Sequence, residues 1–96
     1  MTGPRFEWDD EKARKNLSKH GITFTSAAEV FKDAWVLEEP DDRDYSEHRH
    51  IAIGVANRQT LFVVFTPRGE SIRLISARKA ARHEFTRYWN NRLLHA

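Results

Sequence analysis

The sequence predicts an α+β protein: an antiparallel sheet packed against two N-terminal helices and one C-terminal helix. Three observations predict it. Apolar residues first recur at helical spacing, then alternate along a run of consecutive strands, and return to helical spacing near the carboxyl end. The predicted order of elements is β-α-α-β-β-β-β-α. A chain of 96 residues accommodates one domain, 1–96.

The first half of the chain predicts a short strand and two helices. Alternation over residues 5–8 indicates the strand, and Asp9 is a favourable N-cap for a helix from about Asp10 to His20. Gly21 supplies the left-handed residue that ends this helix. A capping-box pattern at 26–29 predicts the second helix, and residues 35–37 predict a strand. The acidic, turn-rich residues 40–47 are expected to form an exposed loop.

The second half predicts a meander of three strands and a last helix. Residues 49–55 alternate, and 56–59 predict a hairpin turn because Asn57 tolerates positive φ. Residues 61–65 are apolar on both faces, which predicts a central, fully covered strand. A tight turn at 67–69 precedes the strand at 72–77. The last helix is expected from about Arg78 to Leu93, with its aromatic side chains on the sheet.

The composition excludes several classes of protein. The chain has no cysteine, which rules out disulfides, thiolate catalysis and cysteine-ligated zinc. It has neither an apolar run long enough to span a bilayer nor the apolar core of a signal peptide, so we expect a cytoplasmic protein without membrane contact. The absence of P-loop, GxGxxG and GxSxG patterns argues against NTPases, dinucleotide enzymes and serine hydrolases.

Charge is segregated along the chain. Residues 1–50 carry 8 Lys/Arg and 12 Asp/Glu, whereas residues 51–96 carry 8 Lys/Arg and 2 Asp/Glu. Seven of the later cations are arginines, whose planar guanidinium suits forked contacts with phosphate. Arg73, in mid-strand, needs an ionic partner or a wet cleft. A basic sheet face of this kind can hold single-stranded RNA, and the alternative is a scatter of solvated cations.

Two further groups of residues have both a structural and a functional interpretation. Lys19 and His20 suit the C-terminal dipole of the first helix, so they either cap it or serve a site. Glu47 and Arg49 either form an ion pair or contribute to catalysis. A zinc site on His48 and His50 would need further ligands, and we do not expect a metal site.

Three blocks of residues carry a family resemblance. They are FEWD, KHG and VF within 6–31; EHR and IAIG within 47–54; and VVFT, RG and IRLISAR within 63–78. From about Phe6 to Trp89 the chain resembles the BrnT-type toxins of bacterial type II toxin–antitoxin systems. The ISAR segment at 75–78 is its most specific part. The chain departs from the family pattern where His48 replaces a second acid and where the 56–59 hairpin lacks glycine.

The resemblance implies a RelE-like fold and a metal-independent endoribonuclease, without cofactor, that shuts down translation. It also implies a cognate antitoxin with a DNA-binding domain, a toxin–antitoxin hetero-oligomer such as a heterotetramer, and contact with operator DNA only through the antitoxin. By motif position the candidate catalytic residues are Lys19, His20, Glu47, Arg49, Arg68 and Arg78. On the basic face, RNA contacts are expected from Arg73, Lys79, Arg82 and His83.

For such a reaction we expect Arg68 and Arg78 to clamp the scissile phosphate, with Arg49 nearby. Glu47 or His20 would be the base, and His20, His83 or Lys19 would be the acid. The alternative is a non-catalytic module that binds RNA or protein through the same basic face. A DNA-binding regulator ranks last, because no helix-turn-helix is evident.

Overall fold

The computed structural model describes residues 4–41 and 48–95. In chain order the elements are β1 (Arg5–Glu7), α1 (Asp10–His20), α2 (Phe24–Ala28), a 3-10 helix (Glu29–Lys32), β2 (Leu37–Pro40), β3 (His50–Ala56), β4 (Gln59–Arg68), β5 (Ser71–Lys79) and α3 (Arg82–His95). Within the described residues, five strands form one sheet in the order β1-β5-β4-β3-β2. The α+β class is confirmed.

The expected antiparallel sheet is wrong in one respect, because the sheet is mixed. β1 pairs with β5 in parallel, with Arg5 opposite Ser71 and Glu7 opposite Arg73. A hairpin fixes the direction of the strands it joins, but β1 and β5 are joined by no hairpin, so the sequence pattern left their relative direction open. The expected order also lacked the 3-10 helix between α2 and β2.

Local side-chain bonds set the helix boundaries. The Asp9 carboxylate accepts the Lys12 backbone N–H at 3.0 Å, and Gly21 ends α1 with φ 72°, both as predicted. The start expected for α2 is wrong by about three residues, because the hydroxyl of Thr23, not that of Ser26, caps the helix.

The strand boundaries differ from prediction where side chains or pairing intervene. β2 begins at Leu37 instead of 35, because Asp33 turns the chain by accepting the Trp35 backbone N–H at 2.9 Å. Of the expected exposed loop, Pro40 closes β2 and Asp41 is buried, whereas 42–47 lie outside the described residues.

The two hairpins of the meander differ in how well the sequence predicted them. Asn57 and Arg58 have φ values of 52° and 67°, which confirms the turn between β3 and β4. The second turn lies later than 67–69, because β4 continues to Arg68 opposite Ser71 and the chain reverses at Gly69. β5 continues to Lys79, so α3 starts four residues later than expected.

A β-bulge interrupts the pairing of β4 with β5. Val64 lies opposite Ser76, but Phe65 lies opposite Leu74, so Ile75 is the extra residue. Leu74 packs on the side of α1 and α2, whereas Ile75 packs on the other side of the sheet. The bulge therefore turns the side chain of Ile75 away from the helices.

The sheet has two distinct faces. The helix face lies under α1 and α2, and its buried side chains include Ala52, Leu61, Val63, Phe65 and Leu74. The opposite face, called the open face below, carries Ile51, Ile53, Phe62, Val64 and Ile75. The central β4 is buried from Leu61 to Thr66, which confirms the predicted covered strand.

Buried polar side chains fasten the helices to the sheet. The Asn16 amide of α1 donates to the carbonyl groups of Ile22 and Ala77, at 2.9 Å each, and its oxygen accepts the Ala77 N–H at 3.0 Å. α3 lies over one end of the open face, where Tyr88 is fully buried and the Trp89 indole donates to Thr60 at 3.1 Å. Within the described ranges, no helix is long and apolar enough to cross a membrane.

Candidate active site

The open face has an apolar floor with arginines at both ends. Thr66 and Arg73 are paired across β4 and β5 beyond the aliphatic rows of the floor. By strand alternation, Arg68 lies on the same side as Thr66. Arg68 and Arg73 occupy the end of the open face that lies away from α3, and Arg49 immediately precedes β3 at that end of the sheet.

Arg78 lies at the other end of the open face. It is paired in register with Phe62, and its guanidinium carbon is 4.1 Å from the centre of the Phe62 ring. Its two terminal nitrogens donate to the two carboxylate oxygens of Glu84, at 2.8 and 2.9 Å. This forked pair and the ring beneath it fix the guanidinium in one orientation.

Glu84 is the partner that the sequence did not assign to the site. Its side chain is 8% exposed, and it also accepts the backbone N–H of Ala81 at 2.7 Å. Burial alone would raise the pKa of the Glu84 carboxyl, but the hydrogen bonds from Arg78 and Ala81 outweigh burial and the pKa is lowered. The signal was present in the sequence, because a glutamate in the first turn of a helix reaches back to a free backbone N–H.

A cleft of about 410 Å³ lies between the open face and the start of α3. Its walls carry both cations and carboxylates: Glu39, Asp41, Arg78, His83, Glu84 and Arg87. Arg87 of α3 donates to Glu39 of β2 at 2.5 Å, and the His83 imidazole lies 3.8 Å from the Glu84 carboxylate. Sequence reasoning missed the bond between Glu39 and Arg87, since no local pattern relates residues 48 positions apart.

The expected clamp of Arg68 and Arg78 on one phosphate is wrong. Arg68 lies opposite Ser71, at the turn between β4 and β5, whereas Arg78 lies seven residues further along β5. Along β4, which has no extra residue, Arg68 is six residues from Phe62, the register partner of Arg78; at about 3.3 Å per residue, the two arginine positions are roughly 20 Å apart. Two arginines of one hairpin lie far apart when one is beside the turn and the other is at the open end.

The other predicted cations are distributed around this face. Arg73 finds an ionic partner in Glu7, its register neighbour on β1, with 3.7 Å between nitrogen and oxygen. Lys79 lies opposite Leu61 and therefore on the helix face, apart from Arg78. Arg82 and His83 are exposed at the start of α3.

Lys19 and His20 lie at the edge of the sheet rather than on the open face itself. Lys19 is exposed, His20 is half-buried, and both line a second cleft between α1 and β5. Glu47 lies outside the described residues. His50 stacks on Phe65, with ring centres 5.5 Å apart, and no group of three metal-ligating side chains occurs within 4–41 and 48–95.

A buried network fastens α3 over its end of the open face. The Tyr88 hydroxyl donates to the Asp33 carboxylate, which also accepts the Val55 backbone N–H at 2.9 Å. Burial raises the pKa of Tyr88, and the bond to Asp33 raises it further. Burial opposes ionisation of Asp33 as well, but its three hydrogen bonds outweigh burial and its pKa is lowered. The wall that carries Arg87 is thereby held in place.

A comparison with known protein families identifies the family of the chain. Residues 8–84 match the model described as "Ribonuclease toxin, BrnT, of type II toxin-antitoxin system". The chain belongs to the BrnT family. This confirms the resemblance stated from the sequence. The family is one of ribonuclease toxins, which implies RNA as the substrate and an antitoxin as the partner. The BrnT match ends at Glu84, so it includes the Arg78–Glu84 pair and leaves out most of α3. No curated protein matches the chain.

Proposed function

We propose that this BrnT chain is a metal-independent endoribonuclease that cuts single-stranded RNA on the open face and thereby stops translation. The observation that carries the proposal is the cleft under α3, where Arg78 and Arg87 lie beside carboxylates above an apolar floor. Arg49, Arg68 and Arg73 place further guanidinium groups toward the far end of the sheet, where Arg73 is paired with Glu7. A positively charged groove along a single strand is a common way to hold its backbone.

RNA carries its own nucleophile, so the protein needs to supply only positioning, charge and proton transfer. A base takes the proton of the 2′-hydroxyl, and the 2′-oxygen attacks phosphorus. The bond to the 5′-oxygen breaks, and an acid protonates that leaving oxygen. The products are a 2′,3′-cyclic phosphate and a 5′-hydroxyl.

In this proposal arginines supply the charge stabilisation. Arginine does not lose its proton near neutral pH, and its guanidinium can donate two parallel hydrogen bonds to a phosphate. Arg78 suits this role because Glu84 and Phe62 hold it in place before substrate binds. Its side chain is 37% exposed, which leaves it accessible from the cleft.

The candidates for acid and base are His83, which lines the cleft of Arg78, and His20 and Lys19, which line the second cleft, together with Glu47. The position of His83 in the same cleft as Arg78 supports it as the acid. Glu47 or His20 is the base, and Lys19 or His20 is the alternative acid.

The proposed partner is a cognate antitoxin with a DNA-binding domain. It would form a hetero-oligomer such as a heterotetramer with the toxin in the cytoplasm, and bring the complex to operator DNA. The cationic open face supports an acidic segment of the antitoxin as the inhibitor, since complementary charge speeds association. Growth arrest on expression, relieved by the neighbouring open reading frame, tests this part.

Cleavage is tested with purified protein, EDTA and an end-labelled single-stranded RNA. Arg49→Gln and Arg78→Lys are expected to slow cleavage about 10²–10³-fold, as loss of a charge-stabilising donor does. Lysine at 78 keeps a cation beside Glu84. The matched control is Arg14→Gln, which removes a guanidinium from the outer side of α1. Undiminished cleavage by both site variants would contradict the assignment, whereas RNA binding without any cleavage would favour the binding-module alternative.

A further inference from the structure

We infer that the cleft between α1 and β5 is a second RNA subsite, which binds the phosphate backbone of the strand as it leaves the open face. The inference rests on the proposed function, because it concerns the path of the same substrate. The cleft measures about 350 Å³, and one of its walls carries three lysines of α1.

The lysines form a regular row. Lys12, Lys15 and Lys19 are three and four residues apart, so they share one side of α1, and all three line the cleft. At 1.5 Å per residue they rise about 4.5 and 6 Å along the helix axis. His20 adds a further nitrogen at the end of this row. A row of cations at short, even steps suits a polymer with one negative charge per unit.

The cleft is continuous with the open face. Ile75 and Ser76 form its opposite wall, and Ile75 also packs against the apolar cluster of the open face. The β-bulge places both residues there, because it turns the side chain of Ile75 out of the alternation of β5. A strand lying across β4 and β5 therefore reaches the lysines by passing over Ile75.

The walls are rigid, whereas the lysines are available to a ligand. Asn16 uses its side chain to hold Ala77 of β5, which fixes α1 beside the strand. Lys15 lies 3.3 Å from Glu11, but both side chains are mostly exposed, at 77% and 66%. Such an exposed pair contributes little to stability, so a phosphate can replace the carboxylate.

The residue type indicates what the cleft recognises. A lysine ammonium is a point charge without the fixed fork of arginine, so it neutralises a phosphate without imposing geometry. Contacts to phosphate hold a strand in register and carry no sequence information directly. Lys12 and Lys15, which lie toward the end of the row away from the candidate acid and base Lys19 and His20, should therefore add affinity for longer RNA without changing which bond is cut.

The test compares two double variants by fluorescence anisotropy. Lys12→Gln/Lys15→Gln removes two charges from the cleft, and Arg14→Gln/Lys32→Gln removes two from other surfaces. The probes are a 2′-O-methyl 12-mer and a 4-mer, neither of which can be cleaved by attack of a 2′-hydroxyl. For single strands each phosphate contact contributes about 0.7 to the slope of log affinity against log salt.

We expect the cleft variant to lose about 1.4 of this slope on the 12-mer. Between 50 and 200 mM salt, the wild-type affinity should therefore fall about sevenfold more than that of the variant. Binding of the 4-mer and the cleavage pattern on unmodified RNA should stay unchanged. The control variant should bind both probes as the wild type does.

The outcomes separate this inference from the proposed function. If the wild type neither binds nor cleaves RNA, the proposed function fails and the inference fails with it. If the wild type binds and cleaves but the cleft variant keeps the full salt slope, only the inference fails. A 12-residue polyglutamate that binds the wild type as tightly as the RNA, and is weakened equally by the substitutions, would assign the cleft to an acidic protein segment instead.

Discussion

Removing Arg78 should destabilise the fold more at neutral pH than in acid. Arg78→Ala leaves the Glu84 carboxylate, whose side chain is 8% exposed, with the hydrogen bond from the Ala81 N–H and with the exposed His83 imidazole 3.8 Å away. Breaking a fully buried ion pair by removing one partner costs about 3–5 kcal/mol. Because 37% of the Arg78 side chain is exposed, we expect a smaller loss, about 2–3 kcal/mol at pH 7.

The pH dependence follows from the sign of two shifts in pKa. In the wild type the pKa of Glu84 is lowered below its ordinary value of 4.5, so the pair contributes stability above that pH and loses it as pH falls through the folded-state pKa. In the variant, burial remains without Arg78, so the pKa of Glu84 rises. The variant therefore gains less stability than the wild type as pH rises from acid to neutral. The difference in stability between the wild type and the variant is therefore larger at pH 7 than at pH 3.

Urea unfolding of both proteins from pH 3 to pH 7 measures this difference directly. In a separate thermal unfolding experiment at neutral pH, the melting temperature of the variant should lie roughly 10–20 °C below that of the wild type. Arg78→Ala/Glu84→Ala should regain about 1 kcal/mol over Arg78→Ala, although it also loses the bond to Ala81. Arg82→Ala, at an exposed neighbouring arginine, should stay within about 0.5 kcal/mol of the wild type. A loss in Arg78→Ala that is the same at pH 3 and pH 7 would refute the reasoning.

Three further predictions concern stability and use the same unfolding assay. Arg58→Gly should stabilise the chain by about 0.5–1 kcal/mol, because it completes an Asn-Gly turn at a residue with φ 67°; a destabilised variant would contradict this. Asn16→Asp should destabilise by about 2–4 kcal/mol, because a carboxylate cannot donate to the Ala77 carbonyl; the loss should shrink at low pH as the acid takes up a proton. Gly54→Ala should lower the stability by about 1–3 kcal/mol, because its Cβ would lie 2.9 Å from a methyl carbon of Val30 in the 3-10 helix. A variant as stable as the wild type would show that the 3-10 helix can shift away from the new methyl group at no cost.

Elements whose signals are local were predictable from the sequence. Asp9 and Gly21 bracket α1 because each acts on backbone groups within one turn of itself. Asn57 marked the β3–β4 turn because its side chain tolerates positive φ. The start of α2 was missed because two hydroxyl residues compete as caps, and Thr23 takes the role that Ser26 was expected to have.

Features that depend on contacts between residues far apart in the chain could not be predicted from the sequence pattern. Strict alternation along β5 gave no sign of the bulge, which depends on how Phe65 meets Leu74 across the sheet. Arg78 was expected at the junction of strand and helix, but pairing with Phe62 extends β5 past it. Nothing near Arg87 in the sequence indicated that it would reach Glu39 on β2.

The separation of Arg68 from Arg78 changes what the candidate site is expected to do. Positions roughly 20 Å apart cannot hold one phosphate, so these arginines would contact different parts of a strand that crosses the open face. Losses from substitutions at such a distance should be additive in free energy. Arg68→Gln/Arg78→Lys should therefore slow cleavage by the product of the two single effects, measured as kcat/KM on a long RNA. A double variant that cleaves no more slowly than the worse single variant would instead support the clamp of both arginines on one phosphate.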